Sequence, residues 1–263
     1  MEILHKFKQT QYLLSQLVRR DILLKYRGSI LGIAWSFLYP IILLTAFTFV
    51  FGTVLNTKWN LKGSGIDLAL FIYCGLIVFT PFAEVVSVTP RLIQSYQAYV
   101  KKIVFPTEIL PLVTVFSATI HGLVNLIVLV SVATLAGYHN ISKILFLPIF
   151  LLPAWMFVLG IAWFFTAIGV YVRDLIHVIP VFTQLVLFLS PVFYPIDAAP
   201  PVLRQICRFN PLAMAMENTR HAVLEGAAPD FGHWMIMFSA CFFIAVTGYI
   251  FFRHCKEEFA DAL

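Results

Sequence analysis

Charged residues are scarce in this sequence. Asp, Glu, Lys and Arg together make up 12% of its 263 residues, whereas hydrophobic residues make up 60%. Soluble domains carry about a quarter charged residues, so this composition excludes a protein whose whole surface faces water. The hydrophobic residues are also gathered into long uninterrupted runs. That pattern indicates membrane spans rather than one large soluble core.

Short motifs that carry enzyme and metal chemistry are also missing. The sequence contains no Gly-x-x-x-x-Gly-Lys-Ser/Thr loop for ATP phosphates, no His-Glu-x-x-His, no Cys-x-x-Cys and no Gly-x-Ser-x-Gly. Its four cysteines show no metal-ligand spacing, and its seven histidines are dispersed. We therefore predict that the chain is not an enzyme and holds no metal ion or cofactor itself. The formal charge of +5 comes without a basic stripe, so we expect no nucleic-acid partner.

Six apolar runs dominate the chain. Each reaches or nearly reaches the roughly 20 helical residues that cross a hydrocarbon core of about 30 Å, and none alternates apolar and polar residues as β-barrel strands do. The sequence therefore predicts an all-α integral membrane protein with six transmembrane helices. Pro148 and Pro153 predict a kink in the fourth. The runs are residues 33–55, 68–89, 109–136, 144–170, 175–196 and 234–252.

The residues before the first run form a segment of a different kind. Leucines recur there at helical spacing, while Arg19, Arg20 and Lys25 supply a polar side. This pattern predicts an amphipathic N-terminal interfacial helix, either lying on an anionic cytoplasmic membrane surface or docked on a partner protein. We therefore divide the chain into an amphipathic segment, 1–32, and a six-span membrane domain, 33–263.

Positive residues are unevenly distributed between the loops. If the N-terminus is cytoplasmic, twelve of the 18 Lys and Arg residues fall on the cytoplasmic side, most densely before the first run. Because cytoplasmic loops are enriched in Lys and Arg, we predict a multi-pass protein of a cytoplasmic membrane with both termini cytoplasmic. The six on the other side are Lys58, Lys62, Lys143, Arg204, Arg208 and Arg220.

The connection between the fifth and sixth runs, residues 197–233, is much longer than a turn requires. It contains two short helical segments, 202–209 and 212–224, separated by a break at Asn210-Pro211. We expect both helices on the external side. They either lie at the membrane surface or enter the membrane as a re-entrant hairpin.

Glu84 is the conspicuous ionisable residue inside an apolar run. A carboxylate at membrane depth is costly, so it marks either a substrate pathway or a buried partner. Arg91, one to two helical turns further on, is the partner that the sequence offers. A simple helix–helix contact is an equally good explanation. Because a proton relay would require more such groups, we do not predict one.

Five stretches match, in order and spacing, the motifs of one transporter family. Residues 101–112 (KKIVFPTEILPL) are the most specific, and residues 26–35 (YRGSILGIAW), followed by Pro40, match the entry to the first span. In these stretches the chain resembles type-2 ABC exporter permeases, and within that family the O-antigen and teichoic-acid exporters most closely. The remaining stretches are residues 172–175 (VRDL), 190–195 (SPVFYP) and 210–212 (NPL).

The resemblance implies that the chain works as part of a larger complex. Such permeases are homodimers whose twelve helices enclose a translocation path, and each copy binds a separate ABC ATPase subunit that holds ATP and magnesium. The missing ATP loop in this chain agrees with that arrangement. Segments 1–32 and 90–108 would contact the ATPase, and we expect four residues to couple its motion to the permease. These are Tyr96, Tyr99, Lys101 and Lys102.

The resemblance also implies a location and a substrate. The location is a bacterial cytoplasmic (inner) membrane, and the substrate is a lipid-linked polysaccharide assembled in the cytoplasm. Motif similarity favours O-antigen on undecaprenyl diphosphate. Arg19, Arg20, Lys25 and Arg27 stand where cations would meet a diphosphate at the cytoplasmic surface, although the same charges also serve to set the topology.

Aromatic residues make up 16% of the chain and suggest how a long glycan would pass. Aromatic faces contact sugar rings without fixed hydrogen bonds, so a chain of sugars would slide along them. The same residues near span ends also fit as plain interfacial anchors. The candidate channel-lining residues are Trp35, Tyr39, Glu84, Phe188, Phe193 and Tyr194.

Other functions stay open at the level of sequence. A type-2 permease of this kind would also suit teichoic acid, a capsule polysaccharide, a drug or a small lipid. A membrane-embedded transferase belongs to a different class and would require carboxylates or histidines clustered at one membrane surface. The sequence shows no such cluster, so we favour the exporter.

Overall fold

The regular structure of the described residues is entirely helical, as predicted. The computed structural model describes residues 2–50, 65–97, 105–139, 141–227 and 230–259. The longer helices are α1 (Glu2–Tyr26), α2 (Trp35–Phe47), α3 (Gly65–Val88), α4 (Ile109–Leu135), α5 (Leu152–Tyr171), α6 (Leu175–Leu189), α7 (Pro201–Phe209), α8 (Pro211–Arg220) and α9 (Phe231–Cys255).

Within the described ranges, five helical stretches are long and apolar enough to cross a membrane. The fifth predicted run is helical only over the 15 residues of α6, which extend about 22 Å at 1.5 Å per residue. That length falls short of a hydrocarbon core of about 30 Å. The five stretches are Gly32–Val50, Ile66–Ser95, Ile109–Leu135, Leu152–Tyr171 and Phe231–Glu258.

The fourth predicted run is broken at its prolines, as expected. Pro148 lies in the first turn of a short helix, Leu147–Phe150, and Pro153 lies in the first turn of α5. Proline has no N–H to donate and fits best in a first turn. The two prolines therefore divide this run into separate helices.

Helix α3 lies at the centre of the bundle. It packs against α4 and α8, and 78% of its most apolar stretch is buried. Leu70, Ile72 and Phe82 of this helix are almost completely enclosed. By contrast, 11% of the span that contains α2 is buried. The remaining surface of α2 is left to face lipid or another protein chain.

Helices α5 and α9 approach each other closely because glycines face each other across the contact. A Cβ atom on Gly160 would lie 2.7 Å from the Ile244 carbonyl oxygen, and one on Gly248 would lie 2.5 Å from the Gly160 carbonyl oxygen. Lipid-embedded helices associate through such close packing, since burial from water does not drive them together. The two glycines therefore allow α9 to lie directly on α5.

Helix α1 lies along the outside of α4. Leu17 and Val18 pack on Ile109 and Val113, while other apolar side chains of α1, such as Leu23, are exposed. The helix predicted in segment 1–32 is present. Its apolar residues are divided between a face that packs on the bundle and a face that is free for a membrane or a partner.

The connection before α9 contains the two predicted helices and the predicted break. The Asn210 side chain accepts a hydrogen bond from the Leu212 amide at 3.0 Å and so caps α8. Gly226, with a φ of 68°, ends the π-helical turn His221–Glu225 that follows α8. Helix α7 is largely exposed, whereas α8 is enclosed between α3 and α5 over almost its whole length.

Candidate functional site

A cavity of about 290 Å³ is lined by residues of α2, α3 and α4 and by Tyr26 of α1. It combines aromatic side chains with polar ones in a protein that is otherwise strongly apolar. Polar groups within membrane spans are costly and mark functional positions. The polar lining residues contributed by the three spans are Ser36, Thr80, Glu84, His121 and Asn125.

An ionic network forms one part of the cavity wall. Lys25 Nζ, near the end of α1, donates a hydrogen bond to Glu84 Oε1 on α3. On α4, His121 Nδ1 lies 3.5 Å from Glu84 Oε2 and 3.4 Å from Lys25 Nζ. The carboxylate is thus paired from two neighbouring helices, which offsets the cost of placing it at membrane depth.

Tyr26 extends this network to the start of α2. Its hydroxyl group lies 2.5 Å from Ser36 Oγ and 3.2 Å from His121 Nε2, and its ring meets the His121 ring edge to face with centroids 5.8 Å apart. Both nitrogens of His121 therefore have polar neighbours. Helices α1, α2, α3 and α4 are joined through one connected set of side chains.

The predicted partner of Glu84 was wrong. Glu84 pairs with Lys25 and His121, whereas Arg91 lies in a short turn after α3 with an exposed side chain. The reason is tertiary, because α1 folds back along α4 and brings its end to α3. The one signal for His121 in the sequence was a lone histidine within an apolar run.

Aromatic residues form another part of the cavity wall. Trp35 and Tyr39, both predicted to line a channel, contribute to it together with Glu84, and Tyr73 adds a third aromatic side chain. The Tyr73 hydroxyl donates a hydrogen bond to Asn125 Oδ1 at 3.3 Å. Three of the six candidate lining residues therefore lie around one cavity.

The other three candidates lie elsewhere, around the end of α6. Phe188 is 58% exposed, and its carbonyl oxygen accepts a hydrogen bond from the Tyr194 hydroxyl at 3.2 Å. Phe193 packs against an apolar cluster that includes Leu68 and Ile72 of α3. The structure therefore separates the six candidates into two groups.

The four cations predicted to meet a diphosphate have different surroundings. Arg19 and Arg27 are exposed. Arg20 lies over the Tyr96 ring, 5.8 Å from its centroid, and Lys25 is held by Glu84. Among the predicted coupling residues, Tyr96 is therefore placed beside α1. Tyr99, Lys101 and Lys102 lie outside the described residues.

Arg220 has surroundings that the sequence did not reveal. It was counted among the external positive residues, and the structure shows that its side chain is only 1% exposed. Its guanidinium group donates to the carbonyl oxygens of Phe71, Pro191 and Val192 at 3.2, 2.5 and 3.0 Å. Nη1 also pairs with Glu217 at 2.5 Å. The backbone break after α6 leaves carbonyl groups without helical partners, and Arg220 satisfies two of them.

The chain matches one family model over most of its length. Residues 12–224, which contain helices α2 to α8 and most of α1, match the model described as ABC-2 type transporter. The matched range includes the whole cavity and the ionic network in its wall.

Curated relatives match the chain over nearly its full length. An O-antigen export system permease protein, RfbA, from Klebsiella pneumoniae is 25% identical over 254 residues, 95% of each chain. A protein of the same name from Myxococcus xanthus is 23% identical over 265 residues, all of each chain. The polysialic acid transport protein KpsM of Escherichia coli is 22% identical over 223 residues, 84% of each chain. The chain belongs to the ABC-2 type transporter family.

Proposed function

We propose that this protein is the membrane subunit of an ABC transporter that exports a lipid-linked polysaccharide across the cytoplasmic membrane. The observation that carries the proposal is the full-length similarity to O-antigen export permeases. O-antigen on undecaprenyl diphosphate is the favoured substrate, since the family motifs and three relatives point to the same polymer. A separate ATPase subunit supplies the energy and holds ATP and magnesium.

The cavity between α2, α3 and α4 supports this proposal chemically. Trp35, Tyr39 and Tyr73 present aromatic faces that suit sugar rings, while the hydroxyl of Ser36 and the amide of Asn125 suit their hydroxyl groups. Because Lys25 is engaged by Glu84, the exposed Arg19 and Arg27 are the cations left to meet a lipid diphosphate.

A homodimer accounts for the exposed aromatic residues on the helices of spans one and five. Tyr39 on α2 and Phe188 on α6 are each 58% exposed in the single chain. In the proposed dimer they face a path between the two copies. The fifth span is then α6 together with residues 190–195, while α7 and α8 form the external re-entrant hairpin near the exit.

The proposed contact with the ATPase lies around Tyr96. Arg20 of α1 lies over the Tyr96 ring, so α1 and the segment after α3 meet at this point. A force applied to either segment reaches α4 and α3 through the packing of α1 and through the pair formed by Lys25 and Glu84. Tyr99, Lys101 and Lys102 complete the proposed contact.

A capsule polysaccharide is the second candidate substrate. The polysialic acid transport protein matches 84% of this chain, and such a polymer would require a similar path. Removing the gene distinguishes the two candidates, because the polymer that disappears from the cell surface is the one that the protein exports.

Deleting the gene tests the proposal. We expect the surface polysaccharide to disappear while lipid-linked polymer accumulates inside the cells, and a plasmid copy of the gene should restore export. Loss of O-antigen with an intact capsule supports the favoured substrate, and the opposite pattern supports the second candidate. Unchanged export of both polymers would refute the function.

A further inference from the structure

A second polar cavity, of about 410 Å³, lies between α7, α8 and the start of α9. This volume lies within the range of small-molecule sites in proteins. Its polar lining comes from three different helices and the turn after α8, so the cavity is a feature of the tertiary fold. The charged and amide residues that line it are Arg208, Glu217, Asn218, Glu225 and Asp230, together with His221 and His233.

Asn218 is the observation that points to a ligand. Its side chain is 7% exposed and lines the cavity, yet its amide nitrogen has no hydrogen-bond partner among the described residues. A buried amide donor that forms no hydrogen bond destabilises the protein, because its contacts with water are not replaced. A neighbouring group that accepts a hydrogen bond inside the cavity would remove this cost.

The other polar groups of the cavity are already partly engaged. Glu217 pairs with Arg220 through Oε1, and Glu225 Oε2 lies 2.6 Å from His221 Nδ1. Asp230 Oδ1 caps α9 by accepting from Gly232 N at 2.9 Å. Each carboxylate still has a second oxygen, so the cavity wall holds acceptors, and the same wall contains the buried amide nitrogen of Asn218 that has no partner among the described residues.

The charged residues that line the cavity indicate which class of ligand fits it. Three carboxylates and one guanidinium group line the cavity, so an anionic ligand is disfavoured. The Cys207 thiol also contributes to the wall, and burial raises its pKa, which keeps it neutral. A hydroxyl group both donates and accepts hydrogen bonds, so a ring that bears several hydroxyl groups matches this mixture of donors and acceptors.

We propose that this cavity binds a neutral sugar unit, with the Asn218 amide donating to a ring hydroxyl group and the carboxylates accepting from its neighbours. The inference rests on the proposed function, which places α7 and α8 on the external side, where an exported glycan leaves. A sugar unit that leaves the translocation path and binds in this cavity is held on the external side. Its return into the path is therefore slowed.

Saturation-transfer NMR on the purified permease in nanodiscs tests this site. The probes are methyl α-D-glucopyranoside, methyl α-D-mannopyranoside and D-glucuronic acid. We expect at least one neutral glycoside to bind and glucuronic acid to bind more weakly. Asn218→Asp replaces the donor by an acceptor of nearly the same shape and should weaken binding about fivefold, the effect of losing one hydrogen bond.

Two further variants complete the test, one as a control outside the cavity and one as a second change inside it. Gln205→Glu makes the same chemical change at an exposed position of α7 outside the cavity and should leave binding unchanged. His233→Ala removes a partly exposed lining residue, so it should weaken binding even if Asn218→Asp fails to fold. The inference is wrong if no neutral glycoside binds, or if folded variants at both cavity positions bind like the wild type.

Failure of this inference is separable from failure of the proposed function. If gene deletion abolishes polysaccharide export while the purified permease shows no glycoside signal, the exporter function stands and the sugar site does not. If deletion leaves export unchanged, the exporter function fails, whatever the NMR experiment shows.

Discussion

Lys25, near the end of the N-terminal helix, is hydrogen-bonded to Glu84, which lies 59 residues away in the chain and inside α3. Since α3 is the most buried of the candidate spans, this pair joins a peripheral helix directly to the centre of the bundle. His121 and Tyr26 extend the connection to α4 and α2. Any displacement of α1 therefore acts on the residues that line the cavity.

This pair should be measurable by a double-mutant cycle. Lys25→Met and Glu84→Gln should each cost about 1–2 kcal/mol, which lowers the apparent melting temperature of the purified permease by roughly 2–8 °C. The double variant should be at least as stable as the less stable of the two single variants, because it leaves no unpaired charge. Asp21→Asn is the control, since Asp21 lies 3.7 Å from Lys25 on the adjacent turn of α1 and its replacement leaves the contact between Lys25 and Glu84 in place. Additive effects of the two changes would show that the pair is not coupled.

Arg220 should be irreplaceable by lysine. Its planar guanidinium group reaches three backbone carbonyl oxygens at once, and it lies 3.7 Å from the centroid of the Phe71 ring. A lysine ammonium group cannot reproduce that fork, so Arg220→Lys should cost about 3 kcal/mol or more and reduce the amount of folded permease in membranes. Arg208→Lys, at an exposed position of α7, should be tolerated. Equal amounts of the two variants, measured by fluorescence-detected gel filtration, would contradict the role of Arg220.

The local features of the fold could be predicted from the sequence. The apolar runs, the Asn210-Pro211 break and the proline positions are signals within a few residues of the helices they define. The pairing of Glu84 and the burial of Arg220 could not be predicted, because the chain must first fold α1 back onto α4 and insert α8 against α3. Arg220 belongs to a helix that could be predicted, but the carbonyl groups that it binds lie 149, 29 and 28 residues away in the chain. No local sequence pattern shows that a distant helix break leaves those carbonyl groups without partners.

The candidate site could be predicted only in part, because its composition depends on which helices become neighbours in the fold. Trp35, Tyr39 and Glu84 were proposed from their residue types and positions, and the fold brings them around one cavity. Phe188, Phe193 and Tyr194 were proposed on the same grounds and lie around the end of α6. Sequence spacing within one run gives no information about which runs become neighbours.

The proposed topology predicts which positions a membrane-impermeant thiol reagent reaches in intact cells. Lys62→Cys and Asp230→Cys, in a background without other cysteines, should be labelled from outside. Lys102→Cys and Arg173→Cys should be labelled only after the membrane is permeabilised. This result is expected because positive residues concentrate on the cytoplasmic side of the predicted spans. Labelling of Lys102→Cys in intact cells would overturn both the orientation and the six-span arrangement.

The proposed coupling segment should be sensitive to charge reversal. Lys101→Glu combined with Lys102→Glu should reduce ATPase binding or the stimulation of ATP hydrolysis by the permease, while the permease remains inserted in the membrane. This expectation takes the two lysines to face acidic groups of the ATPase, so reversing both charges would replace attraction by repulsion. Lys143→Glu, on the opposite side in the proposed topology, is the control. Normal export by the double variant would show that the ATPase contact lies elsewhere.

The most direct test of the exporter function is transport by purified components. The permease and its ATPase subunit would be reconstituted into proteoliposomes with the lipid-linked polysaccharide extracted from the deletion strain, and a lectin that cannot cross the membrane would report which face carries the glycan. We expect the lectin-accessible fraction to change when ATP and magnesium are added, and to stay constant with a non-hydrolysable ATP analogue. A distribution that is identical with and without ATP, in vesicles where the ATPase hydrolyses ATP and binds the permease, would contradict the account.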